Sequence, residues 1–164
     1  MSYCINPICS KPQNTRKTLF CEGCGSELLL DGCYRVTHLL SDRARPTGFG
    51  TIDEVDDGGT LKILKVLHNT HPKAIELFQQ EAEVLKELNH PGIPKVESDS
   101  QQPLHCLVME KIEGMNLEQY LEQRNHQPIS ERAAVRLSDR WVRLSNLLKM
   151  SSLPKLGKVA NQQL

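Results

Sequence analysis

Leu61-Lys62-Ile63-Leu64-Lys65-Val66-Leu67 and, further on, Phe78-Gln79-Gln80-Glu81-Ala82-Glu83-Val84-Leu85 decide the fold. The first run reads as a strand, whose period of two puts Lys65 on the same face as Leu61, Ile63 and Leu67. The second lies within residues 72–88, where Ile75, Phe78, Ala82, Leu85 and Leu88 form one helical stripe. Pro72 near the first turn and Asn89-His90-Pro91-Gly92 as a stop frame that helix. Glu81 follows Phe78 by three residues and precedes Leu85 by four, so its carboxylate stands on or beside the apolar stripe. Singly, the two charges read as a snorkelling lysine and a stripe-edge glutamate. Together they face inward with opposite sign, and pairing is what relieves their desolvation.

Around this nucleus the chain reads as an antiparallel meander. A half-buried strand is expected over residues 34–40, then a breaker-rich stretch over 41–50. Extended runs at 51–55 and 61–67 flank Asp56-Asp57-Gly58-Gly59, a strong hairpin signal. Beyond the helix, residues 93–97 and 105–112 read as two strands around a polar loop at 98–103. Residues 116–124 form a short helix, and a further helical stretch opens at Ser130.

At the N-terminus four cysteines fall as Cys4-x4-Cys9-x11-Cys21-x2-Cys24, two short-spaced couples of the kind that hold a tetrahedral zinc. Pro7 and Gly25 suit the tight turns of such knuckles. The segment has too few apolar residues to fold by burial alone, so bound Zn2+ is expected to supply most of its folding free energy. The alternative, a redox pair at Cys21 and Cys24 or scattered thiols, leaves Cys4 and Cys9 without a role. Cys33 and Cys106 are expected to be small packed side chains.

The chain has 164 residues, with 20 Lys plus Arg against 20 Asp plus Glu. Neutrality gives no long-range field for nucleic acid or an acidic membrane. A ribbon with Lys11, Arg16 and Lys17 against Glu22, Glu27 and Asp31, plus a Zn2+ on four thiolates, also disfavours nucleic acid. No apolar stretch approaches the roughly 20 residues of a membrane helix, and the N-terminus lacks an apolar signal core, so a reducing cytoplasm is expected. Aromatic residues make up 4% of the chain, so the core must be mainly aliphatic.

Zinc knuckles, a lysine strand, a glutamate helix and two strands ending in Leu107-Val108-Met109-Glu110-Lys111-Ile112-Glu113-Gly114 resemble a protein kinase N-lobe. More narrowly, residues 1 to about 136 resemble the serine/threonine kinases of cyanobacterial type with a four-Cys prefix. His90-Pro91-Gly92-Ile93-Pro94 and Val108-Met109-Glu110 are among the most specific parts. The resemblance implies that Lys65 grips the α and β phosphates of ATP and that Glu81, on helix C, holds Lys65 in position. It places Met109 at the gatekeeper position and Glu110 to Ile112 at the adenine hinge. Nucleotide contacts are expected at Gly48, Phe49, Gly50, Ile52, Ile63, Lys65, Glu81, Met109, Glu110 and Ile112, with Cys4, Cys9, Cys21 and Cys24 as metal ligands.

Departures from the family pattern qualify what is implied. With Gly50 as the last glycine of G-x-G-x-x-G, Arg45 and Thr47 occupy the first two positions, and Ile63 replaces the small residue that floors the adenine pocket. No His-Arg-Asp, Asp-Phe-Gly or Ala-Pro-Glu occurs, so the catalytic base and magnesium ligands are missing and no catalytic residue is assigned. Residues 137–164 no longer resemble the family, although Leu137, Trp141, Leu144 and Leu148 keep a helical stripe. Seven Lys or Arg from Arg132 onward, against Asp139 alone, make that end basic.

The expected architecture is α+β: a zinc ribbon (1–32), a kinase-like N-lobe with a five-stranded antiparallel sheet and helix C (33–115), a truncated helical start of a C-lobe (116–150) and a disordered tail (151–164). The expected function is that of a serine/threonine kinase relative, able to bind ATP or ADP with Mg2+ and inactive by itself. A protein partner, either a C-lobe or a signalling protein, and self-association through the uncovered cleft side are expected. The alternative is a zinc-ribbon interaction module that no longer binds nucleotide.

Overall fold

The computed structural model describes residues 1–43, 50–102, 104–115, 117–136 and 138–139. Residues 1–112 form one compact unit and residues 113–164 another.

In the first unit, β1 (Ser2–Tyr3) and β2 (Gln13–Asn14) make a two-stranded sheet. Then come β3 (Arg35–Leu39), β4 (Gly50–Asp57), β5 (Thr60–Leu67), α1 (Pro72–Glu87), β6 (Val96–Ser100) and β7 (Cys106–Glu110). The larger sheet runs β3-β4-β5-β7-β6, antiparallel throughout. This is the five-stranded sheet plus helix expected from the sequence.

The β4–β5 hairpin closes on Gly58 and Gly59, whose φ angles are 58° and 101°. Two consecutive positive φ values suit a two-residue turn between the paired Asp57 and Thr60, a geometry open to glycine at little steric cost. Asp56 secures the turn by accepting from the Gly59 amide at 2.8 Å.

α1 begins where the sequence indicates, with Pro72 in the first turn and the His71 ring accepting from the Lys73 amide. It ends at Glu87, so Leu88 lies past the helix in an extended conformation rather than on its stripe. The face packed on Leu67 and Leu107 is Ala74, Phe78 and Ala82, with Ile75 and Leu85 at its edges, and Val84 is buried as well.

β5 is covered on both sides, and that gives the fold its layering. Leu64 and Val66 point to one face, where they join Val36, Val55, Cys106 and Val108 with Ile5 and Leu30 of the cysteine-rich segment. Leu67 points to the other face, against α1. The cysteine-rich segment is thus not a free appendage: Ile5 and Leu30, 2% and 4% exposed, complete the core of the sheet. Arg43 strengthens that junction by donating to the Asn6 carbonyl at 3.0 Å and pairing with the fully buried Asp53.

Three local expectations are corrected. The polar residues Ser98 to Ser100 belong to β6 rather than to a loop, because an edge strand takes its hydrogen bonds from β7 and can leave alternate side chains in water. Residue 93 is not in a strand; its amide closes a turn onto His90. Cys33 is exposed, not packed, because it sits in the tight turn linking Leu30 to Tyr34, whereas Cys106 is buried as expected.

In the second unit, α2 (Leu117–Gln123) is followed by Asn125 and His126, both with positive φ. A helical stretch over 131–136 starts with Ser130 accepting from the Ala133 amide. The expected stripe at Leu137, Trp141, Leu144 and Leu148 and the tail at 151–164 lie outside the described residues. No helix among the described residues is long and apolar enough to cross a membrane.

Candidate functional site

Lys65 stands near the end of β5, opposite Ile52 on β4 and Leu107 on β7. Residues paired across antiparallel strands share a face, so Lys65 points to the side carrying Leu67 and α1. Across that space, one helical turn beyond Phe78, Glu81 turns its carboxylate to the ammonium. Lys65 Nζ lies 2.7 Å from Glu81 Oε1 and 2.8 Å from Oε2. The side chains are 17% and 22% exposed.

The ammonium also lies 5.8 Å from the centroid of the Phe78 ring, within cation–π range. A mostly buried pair of this kind contributes little net stability compared with apolar residues of similar volume. What it does provide is a fixed cation whose charge is offset by a single carboxylate.

The next row along the same face is Glu54 (β4), Ile63 (β5) and Met109 (β7), paired in register. Ile52, Ile63, Lys65 and Met109 therefore share one face, with Glu81 above it on α1. Glu110 ends β7, its amide donating to the Lys95 carbonyl at 2.8 Å, and Ile112 beyond it is 58% exposed. Gly50 opens β4 opposite Leu67, and a Cβ there would come within 2.3 Å of the Val66 carbonyl oxygen. Glycine is thus required by the close approach of β4 to β5. Gly48 and Phe49, together with Arg45 and Thr47, lie outside the described residues.

One group on this face escaped the sequence reading. Glu54 is 7% exposed, yet polar partners surround it: Lys111 Nζ at 2.8 Å and His38 Nδ1 at 2.8 Å. The hydrogen bond from Lys111, with a further contribution from His38, holds its carboxyl below the usual range despite burial. The strand alternation that puts Ile52 inward also puts Glu54 inward, a signal present in Thr51-Ile52-Asp53-Glu54-Val55.

The four-cysteine cluster is a second, separate site. The sulfurs of Cys4, Cys9, Cys21 and Cys24 all lie within 4.8 Å of one another. Cys4 and Cys24 are 3.5 Å apart and Cys9 and Cys21 3.7 Å. Bonds of about 2.3 Å from a tetrahedral zinc would set sulfurs roughly 3.8 Å apart, so the donor set fits that metal.

The surroundings also suit thiolates. The amides of Asn6 and Gly23 each donate to a sulfur at 3.4 Å, Cys4 and Cys21 respectively, and the Asn14 side chain donates to Cys21 at 3.5 Å. Bonding to Ser26 lowers the Cys24 thiol to about 6, whereas burial raises that of Cys4. Gly23 is fixed by contact: a Cβ would meet the Lys11 carbonyl oxygen at 2.9 Å. The cluster can hold a metal ion.

Comparison with known proteins bears on the segment that carries Lys65 and Glu81. A family profile described as protein tyrosine and serine/threonine kinase matches residues 49–153. The match extends past residue 136, so the reading that residues 137–153 no longer resemble the family is corrected. A serine/threonine-protein kinase B from Synechocystis sp. is 34% identical over 130 residues, which cover 73% of this chain and 22% of that protein. The chain thus spans under a quarter of the length of that curated relative.

Proposed function

The chain belongs to the protein tyrosine and serine/threonine kinase family, and from that premise we propose that residues 33–115 are the nucleotide-binding lobe of a serine/threonine kinase, carrying a zinc ribbon on the back of its sheet. The observation that carries this reading is the two-oxygen contact between Lys65 and Glu81. A cation held extended by one carboxylate is poised to meet the α and β phosphates of ATP. Ile52 and Ile63 would pack on the purine, Met109 would close the back of the pocket, and the backbone of Glu110 to Ile112 would pair with its edge. Gly48, Phe49 and Gly50 would cover the phosphates.

Magnesium would neutralise charge between the phosphates, but its usual Asp and Asn ligands are not in these 164 residues. Neither is a catalytic-loop Asp. Phosphoryl transfer on this reading depends on a catalytic lobe from outside the 164 residues, which by themselves bind nucleotide and transfer nothing. The four cysteines would hold one Zn2+ whose role is structural, bracing the segment that supplies Ile5 and Leu30 to the core.

The test is a thermal-shift series with Mg-ATP, Mg-ADP and buffer on wild type and Lys65→Ala. Ligand at 100 times Kd should stabilise the wild type by about 2.7 kcal/mol and leave Lys65→Ala unmoved. Absence of a shift in the wild type would favour the second reading, a zinc-ribbon interaction module without nucleotide. The branched Ile63 on the pocket floor is the residue that favours that alternative.

A further inference from the structure

Glu54, Lys111 and His38 form a chain of polar contacts that nucleotide binding, as proposed above, does not itself call for. Glu54 lies on β4 directly opposite Ile63 on β5, and Ile63 lies opposite Met109 on β7. Lys111 is two residues beyond Met109, just past the end of β7. An ion pair between Glu54 and Lys111 must therefore cross β5, a span of two strand spacings or about 10 Å. It does so on the face that carries Ile63, with Nζ and Oε2 2.8 Å apart. On the far side of Glu54, His38 sits opposite it in register and its ring contacts the other carboxylate oxygen at 2.8 Å. Thr37 Oγ1 also donates to that oxygen, at 3.4 Å.

The segment 110–112 is thus held from two directions. Toward β6, the Glu110 amide donates to the Lys95 carbonyl at 2.8 Å, and the Glu110 carboxylate accepts from the Lys95 amide at 3.4 Å. Toward β4, the Lys111 side chain is drawn across the sheet to a carboxylate that is itself 9% exposed. Burial makes Glu54 a rigid anchor, because its backbone is mid-strand and both oxygens are engaged. A backbone that must offer a donor and an acceptor to a flat purine edge benefits from being fixed beforehand, since the ordering cost is then not charged against binding.

We propose that Glu54 is a positioning residue for the adenine ring: through Lys111 it fixes the 110–112 backbone in the geometry that receives the purine. This rests on the nucleotide-binding reading and adds to it a residue that touches no nucleotide. The contact is a charge-assisted hydrogen bond between partly buried groups, and it acts on ligand affinity only through the order of the hinge.

The experiment compares wild type, Glu54→Gln, Lys111→Met and the double variant. Amide hydrogen exchange is followed on the ligand-free chain, and Kd for Mg-ATP is measured by calorimetry. Expected are faster exchange at Lys111 and Ile112 with unchanged protection at Leu64 and Val66, and ATP binding weakened roughly three- to tenfold in each single variant. The double variant should be no weaker than the worse single one, since both remove the same contact. Lys111 is 26% exposed, so Lys111→Met carries the test should Glu54→Gln not fold. Wild-type ATP affinity in Lys111→Met, unchanged exchange at Lys111 and Ile112, or additive losses would overturn the proposal while leaving nucleotide binding intact. A wild type that binds no ATP would overturn the nucleotide reading and this inference with it.

Discussion

Glu81 reaches across from α1 to place both carboxylate oxygens within 2.8 Å of Lys65 Nζ, sixteen residues earlier on β5. The contact ties the helix to the sheet at a point where both sides carry charge and are mostly buried. It makes each residue dependent on the other.

That dependence gives the first prediction. Lys65→Ala should leave a mostly buried carboxylate unpaired and destabilise the chain by about 1–3 kcal/mol, less than a fully buried pair because both groups retain some solvent. Replacing both, as Lys65→Met with Glu81→Leu, should recover most of that loss. Urea denaturation of the three chains measures it; a double variant less stable than Lys65→Ala would contradict the account. Nucleotide-induced stabilisation should be lost in both.

Glycine at position 50 should be irreplaceable. A Cβ there meets the Val66 carbonyl oxygen at 2.3 Å, a backbone atom that cannot move without opening the β4–β5 ladder. Gly50→Ala should cost about 1–3 kcal/mol by overpacking. Equal urea midpoints for Gly50→Ala and wild type would show that the strands are less closely apposed.

Metal analysis should find one zinc per chain, lost in Cys21→Ser. Because Ile5 and Leu30 belong to the same core as Val36, Val55, Leu64 and Val66, stripping the metal should lower the melting temperature of the whole first unit rather than unfold the N-terminus alone. Melting followed at the sheet, with and without a chelator, tests this: an unchanged sheet transition would mean that the ribbon contributes nothing to the core.

Stability should also depend on acid through Glu54. Its carboxyl is held below the ordinary 4.5, chiefly by the hydrogen bond from Lys111. A depressed folded-state value binds fewer protons than the unfolded chain, so the stabilisation is fully present above the ordinary value and disappears as pH falls through the lowered one. Asp53 acts in the opposite sense, since burial raises its carboxyl above the usual range despite Arg43. Subtracting the stability–pH curve of Glu54→Gln from that of wild type isolates the first effect. The difference should shrink on acidification below about pH 5, and a difference that stays constant there would refute it.

Much of this could be read from the order of residues alone. The alternation of residues 61–67 and the 3.6-residue period of 72–88 fix which way Lys65 and Glu81 face, because each depends only on local backbone geometry. Asp57-Gly58-Gly59 fixes a hairpin for the same reason. The edge strand is not legible in the same way, because β6 is held by its partner β7 and not by its own Ser98-Asp99-Ser100, which carry no strand signal.

The cysteine spacing determined a metal-binding cluster, and the inward Lys65 and Glu81 determined a pair, since in both cases the side chains leave few alternatives once the local element is set. What only the tertiary structure decided is what lies across each sheet face. Ile5 and Leu30 close the back of the sheet, and Glu54 meets Lys111 over β5, fifty-seven residues away in the chain. Those contacts join segments whose separation leaves no periodic trace in sequence. They form because Glu54 is buried in the folded sheet, where an ion pair is the available way to satisfy its charge.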